Sequence, residues 1–105
     1  MSPRKELKMK VHVMKTNAFV IENFETNEVV LQSYNSIVAI VDRESGITTL
    51  GRHWDYSVTT LKHVYQFLEE YQPNLPYSIL NSRTKKRSVE NLIKDGFVFY
   101  DPELI

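Results

Sequence analysis

His53, Asp55 and His63 lie close together in the chain and carry side chains that coordinate zinc or iron. Two ligands on a loop and one on the following helix can converge. A metal site needs a third or fourth strong ligand, however, and neither a cysteine nor another nearby histidine supplies it. No metal and no cofactor is therefore expected. Ser57, His63 and Asp55 also provide the residue types of a nucleophilic triad, but a triad is defined by geometry and not by type. No Gly-x-Ser-x-Gly elbow is present, Ser57 stands where a helix needs its cap, and the helix turns His63 away from it. Glu69 and Glu70 are adjacent on a helix and face different ways, so they are not an acid–base pair. The glycines, Gly46, Gly51 and Gly96, are scattered and build no phosphate-cradling loop. The chain reads as a protein without catalysis.

Binding chemistry is better represented. Trp54 and Tyr56 flank Asp55 just before a helix, and these are residue types that anchor protein–protein contacts. They compete with a structural reading in which Tyr56 staples the first helical turn and Trp54 fills the edge of the core. The segment from Thr16 to Asp42 has no Lys or Arg but carries Glu22, Glu25, Glu28 and Asp42. Glu22, Glu25 and Glu28 are expected around one turn, as an acidic surface for a basic partner. Arg83, Lys85, Lys86 and Arg87 form a basic cluster that neutralises phosphates if it meets nucleic acid. Ser88 follows as the cap of a helix, itself an anion-friendly end. Against a dedicated nucleic-acid binder stands the balance of 13 Lys plus Arg with 13 Asp plus Glu. There is also no helix-turn-helix pattern.

The elements that must position these residues divide the chain in two. The first half reads as strands: Val11 to Met14, Ala18 to Ile21, Val29 to Leu31, Ile37 to Val41 and Ile47 to Leu50, separated by polar turns. Ile37 to Val41 is apolar throughout, which predicts a central strand covered on both faces, with Ile40 a candidate to pack on the helix. The second half reads as helix. Ser57 caps a stripe of Val58, Leu61, Val64, Tyr65, Leu68 and Tyr71, and Pro73 and Pro76 lie beyond its end. A shorter helix from Ser88 to Asp95 ends at Gly96, and Phe97 to Tyr100 forms a last strand. The predicted fold is α+β: an antiparallel meander of four to five strands packed on one main helix, with a short C-terminal helix and strand. Residues 1–10 are expected as a basic flexible terminus and 11–105 as a single domain. The basic segment from Asn81 to Arg87 is expected to be a loop. No apolar run approaches the roughly 18 residues of a membrane-crossing helix, and the N-terminus lacks the apolar core of a secretory signal.

The segments Ser33-Tyr34-Asn35-Ser36-Ile37-Val38-Ala39-Ile40 and Trp54-Asp55-Tyr56-Ser57-Val58-Thr59-Thr60-Leu61-Lys62-His63 resemble a small domain of phages and prophages of Gram-positive bacteria. In that family an S-Y-x-S/T-x-V-A strand precedes a Y-S-x-T-T-x-K-H helix start. The family brings no activity and no site residue. The resemblance implies an accessory protein working in the cytoplasm of a bacterial host cell. In that setting small proteins without catalysis are often inhibitors of host machinery, anti-CRISPR proteins among them. The expectation is a host-protein inhibitor acting on a nuclease of the Cas9 type, with Glu22, Glu25, Glu28, Trp54 and Tyr56 at the contact. The alternative expectation is a nucleic-acid-binding accessory protein that uses Arg83, Lys85, Lys86 and Arg87. His63 is expected to bond a backbone carbonyl of the meander and to do no chemistry.

Overall fold

The computed structural model describes residues 8–76 and 85–104. Arg83, and the part of the Asn81–Arg87 segment before Lys85, lie outside the described residues, as do residues 1–7 of the basic terminus. The chain is α+β. Five strands come first: β1 (Met9–Lys15), β2 (Ala18–Asn23), β3 (Glu28–Ser33), β4 (Ser36–Asp42) and β5 (Thr48–Leu50). Helices α1 (Val58–Tyr71) and α2 (Lys85–Lys94) follow, then β6 (Phe99–Tyr100). All six strands form one sheet in the order β1-β2-β3-β4-β5-β6.

The meander from β1 to β5 is antiparallel, as the short polar turns demand. The last strand departs from the expectation. It extends the sheet to six strands and lies parallel to β5, pairing Thr49 with Phe99 and Leu50 with Tyr100. A parallel neighbour needs a long crossover, and the stretch holding α1 and α2 is that crossover. β1 begins at Met9, so the expected flexible terminus gives up Met9 and Lys10 to the sheet.

Side chains alternate between the two faces of a strand. On the helix-covered face Ala18, Val20, Leu31, Ala39, Val41 and Leu50 are buried, with Ser33 and Thr48 among them. They meet Val64, Phe67 and Leu68 of α1, Val89 and Leu92 of α2, Trp54 and Val98. Ile37 and Ile40 stay half-buried. Ile40 pairs with Val30 and Thr49 on the side away from the helices, so among the described residues the two helices cover β4 on one face only.

The local signals for α1 act as expected. Ser57 Oγ accepts from the Thr60 N–H at 3.1 Å, which satisfies one of the free donors of the first turn. α2 differs. It is already helical at Lys85, and Ser88 is a fully buried residue inside it instead of its cap. Lys and Arg are good helix formers, and Ser88 falls on the same face as Val89 and Leu92. Lys85, Lys86 and Arg87 are therefore exposed residues of a helix and not part of a loop. Gly96 closes α2 with φ of 82°, the left-handed conformation a glycine adopts without penalty. Among the described residues no helix is long and apolar enough to cross a membrane.

Candidate functional site

Two sequence segments far apart in the chain meet at one place. The β3–β4 turn runs through Ser33, Tyr34, Asn35 and Ser36, and the entry to α1 runs through Tyr56, Ser57 and Thr60. Between them is a cleft of about 280 Å³ lined by Ser33, Tyr34, Asn35, Ser36, Val38, His53, Tyr56 and Thr60. No Lys, Arg, Asp or Glu lines it.

Its floor is a chain of hydrogen bonds. Ser57 Oγ donates to Thr60 Oγ1 at 3.2 Å. Thr60 Oγ1 lies 3.1 Å from Ser33 Oγ, and Ser33 Oγ lies 2.8 Å from His63 Nδ1. The backbone of Thr16, in the β1–β2 turn, lies near the His63 ring and favours its charged form. The Ser33–His63 bond runs from the hydroxyl to Nδ1 or from Nδ1–H to the hydroxyl, according to the ring tautomer. His63 is 1% exposed, and burial holds its pKa below the ordinary histidine value, against the raising effect of Thr16. The imidazole is held at the end of β3 by Ser33.

A serine hydroxyl on a histidine nitrogen is the core of a nucleophile–base pair. Here Ser33 is 2% exposed and its oxygen is shared with Thr60. The Tyr34 ring stands 6.0 Å from the His63 ring, tilted by 41°.

The walls are aromatic. Tyr34 is 42% exposed and Tyr56 is 75% exposed. His53 meets Tyr56 edge-on, with ring centres 5.9 Å apart. Tyr34 has φ of 55°, a region that residues with a bulky side chain seldom enter. The turn holds it there: its N–H donates to the Asn17 carbonyl at 2.8 Å, and Gln32 Nε2 donates to its carbonyl at 2.8 Å. Asn and Gly enter this region more easily, and the other described non-glycine residues with positive φ, Asn17 and Asn27, are both asparagines.

The residues singled out from the sequence are distributed as follows. Tyr56 is at the cleft. Trp54 is not a surface anchor: it is 5% exposed, because its N–H closes a tight turn on the Gly51 carbonyl and the indole packs into the core. The three glutamates do not form one acidic surface. Glu22 lies 2.6 Å from Arg43 through Nη2 and 3.9 Å from His12. Glu25 lies 3.7 Å from Lys8, and Glu28 accepts from the Thr26 hydroxyl at 3.1 Å. Alternation along the strands puts Glu22 and Glu28 on opposite faces. His53, Asp55 and His63 do not gather: His53 is on Tyr56, Asp55 is 3.6 Å from Lys86, and His63 is buried on Ser33. Among the described residues no group of three metal-ligating side chains forms.

Of the basic cluster, Lys86 is on Asp55 and Lys85 Nζ sits over the Tyr65 ring at 5.1 Å. Lys85 shares a shallow depression with Lys15, Lys62, Tyr65, Gln66 and Glu69. Lys15 and Lys62 were not singled out from the sequence, since they come from β1 and α1. Ser33 and Thr60 were missed for the same reason.

A family model described as one of unknown function, DUF8033, matches residues 5–86, which include every residue of the cleft. No curated protein and no solved structure matches the chain.

Proposed function

The chain belongs to the DUF8033 family, and we propose that it is a non-catalytic binding protein that recognises a partner protein in the cleft between the β3–β4 turn and the start of α1. The supporting observation is Tyr34. A tyrosine stands at a positive φ where asparagine or glycine is easier, and it walls the cleft opposite the exposed Tyr56. Tyrosine pairs of this kind carry large contact area with a polar handle. The uncharged lining suits an uncharged, extended segment of the partner, with one apolar side chain between the rings and backbone amides on the Ser36 and Asn35 side.

The reading assigns no covalent step to Ser33. Its hydroxyl is held between His63 and Thr60, and the hydroxyl chain serves to hold the turn against the helix. The finer form of the proposal is an inhibitor of a host defence nuclease of the Cas9 type, acting in the cytoplasm of a bacterial cell. It rests on the resemblance to phage domains. Its route is the cleft, since Glu22 and Glu25 are already paired with Arg43 and Lys8.

A photo-crosslinking side chain at Tyr56 tests the binding reading in host cells. A covalent adduct to one protein, lost on Tyr34→Ala, supports it. Adducts spread over many proteins, or unaffected by Tyr34→Ala, refute the cleft as the site. Target cleavage by guide-loaded nucleases at large excess of the chain tests the finer form, and unchanged cleavage ends it.

A second reading has its own observation. Lys15, Lys62 and Lys85 surround Tyr65 on three different elements, giving cations and a stacking ring to a nucleic-acid backbone. Mobility shifts at low and moderate salt decide it. Affinity has to fall by orders of magnitude across that range and be lost on changing Lys15, Lys62 and Lys85 to Ser.

A further inference from the structure

The sheet ends on one side at β1, whose outer edge carries no further strand among the described residues. Two bonds show which of its backbone groups face outward. Phe24 N–H donates to the Lys8 carbonyl at 2.8 Å, so Lys8 and Phe24 form a hydrogen-bonded pair beside the β1–β2 ladder. Such pairs alternate along an antiparallel ladder, which makes Lys10 with Glu22 and His12 with Val20 the next two. Tyr34 N–H donates to the Asn17 carbonyl at 2.8 Å, and the same alternation turns the backbone groups of Phe19, Ile21 and Asn23 toward β3. Both bonds therefore leave the N–H and C=O groups of Met9, Val11 and Val13 pointing out of the sheet. The register shifts between Val13 and Lys15, so the regular edge ends there.

Side chains on this edge divide by face. Met9, Val11 and Val13 stand on the face away from the helices and are 53%, 60% and 63% exposed. Lys10 and His12 stand on the helix side, where His12 Nε2 lies 3.4 Å from the Tyr71 hydroxyl of α1. Lys15 is on that side too, in the depression it shares with Lys62 and Lys85. Among the described residues that line this depression, one carboxylate, Glu69, stands beside three lysines. Glu22, opposite Lys10 in the register, is held by Arg43 at 2.6 Å. We propose that β1 is a docking edge for a partner protein's strand in which apolar and acidic residues alternate. Paired antiparallel, the partner's apolar residues lie opposite Met9, Val11 and Val13 and exchange backbone hydrogen bonds with them. Its acidic residues lie opposite Lys10 and His12, on the side of Lys15 and Lys62. Charge complementarity selects this occupant. A second β1 edge would bring the lysines of two copies into one seam, and lysine on an edge works against such pairing. A nucleic-acid strand would use Lys15 and Lys62 but leave the outward N–H and C=O groups and the apolar row unused. The edge is separate from the cleft, which no residue of β1 lines.

The probe is a labelled peptide, Glu-Val-Glu-Val-Glu-Val-Glu, added to the full chain. Hydrogen exchange read amide by amide is expected to slow at Met9, Val11 and Val13 and to stay unchanged at Lys10 and His12, whose amides are already bonded to β2. N-methylation of the peptide's valines is expected to weaken binding about tenfold or more, since those amides face β1, while N-methylation of its inner glutamates leaves it. Lysine in place of glutamate in the peptide, or Lys10→Glu with Lys15→Glu in the chain, is expected to weaken it by about tenfold or more as well. Both lysines are exposed, so circular dichroism and melting of that variant stay unchanged. No binding at millimolar peptide overturns the proposal. So does binding that leaves exchange at Met9, Val11 and Val13 unaltered, or that survives the charge reversal. Exchange at these amides that slows on raising the protein concentration alone puts a second copy on the edge and refutes the acidic partner. Single-stranded nucleic acid that binds through Lys15 and Lys62 where the peptide does not gives the lysines to nucleic acid and refutes it equally.

Discussion

Ser33 Oγ and His63 Nδ1 sit 2.8 Å apart, joined across thirty positions of sequence, and both residues are out of water. The pair ties the last residue of β3 to the middle of α1. Buried polar groups are tolerated when every partner is present. Here the chain Ser57, Thr60, Ser33, His63 uses each hydroxyl.

Ser33→Ala removes the middle of that chain. It leaves His63 Nδ1 and the Thr60 hydroxyl each without the partner that Ser33 supplies, both in the interior. The expected loss is about 1–3 kcal/mol in urea unfolding, since an orphaned buried group costs its full desolvation. A loss within error of zero would show that water enters and replaces the hydroxyl.

His63 also sets a pH dependence. Its folded pKa lies below the unfolded value of 6.5. Between those two values the unfolded chain binds more protons, so stability rises with pH in that window. The contribution is fully present above about pH 6.5, is lost as the pH falls towards the folded value, and levels off below it. Urea midpoints from pH 7.5 down to 5 are expected to fall in the wild type and to fall less in His63→Phe. Parallel curves would remove His63 as the cause.

How much of this was legible in the chain depends on the range of each interaction. The Ser57 cap and the Gly96 stop are local, and a few neighbouring residues define them. Ser33 meeting His63 is not local: it requires the register that sets Ala18 opposite Ser33 and the packing of α1 over it. The run from Ile37 to Val41 showed that both faces of β4 are apolar, but not that the helices cover one face alone. The parallel seat of Phe99 and Tyr100 beside β5 follows from where the crossover ends, which no periodicity records. Ser88 has the residue type of a cap, yet three good helix formers precede it and carry the helix through.

Ile40 and Leu31 separate the two faces by measurement. Leu31 is fully buried under the helices, so Leu31→Ala is expected to cost about 2–5 kcal/mol. Ile40 is half-buried on the open face, and for an isolated chain Ile40→Ala is expected to cost about 1 kcal/mol or less. Urea unfolding gives both values. Equal costs would mean that the open face is covered within the single chain.

Tyr34 supplies the last prediction, because at that position stability and binding make opposite demands. Its φ of 55° is unfavourable for an L residue with a side chain, and asparagine is the non-glycine residue that enters that region most easily. Tyr34→Ala and Tyr34→Asn both lose the ring, its contact with His63 and one wall of the cleft. They differ in how well the new residue accepts the turn. Asn is therefore expected to be more stable than Ala by about 1 kcal/mol in urea unfolding. The crosslink from position 56 is expected to vanish in both. If Ala matches Asn, the backbone of the turn is not strained and tyrosine there needs no functional account. If Asn is the more stable and still crosslinks, the strain is real but the ring does not serve the partner. Gain of stability with loss of the adduct is the outcome that ties the strained turn to recognition.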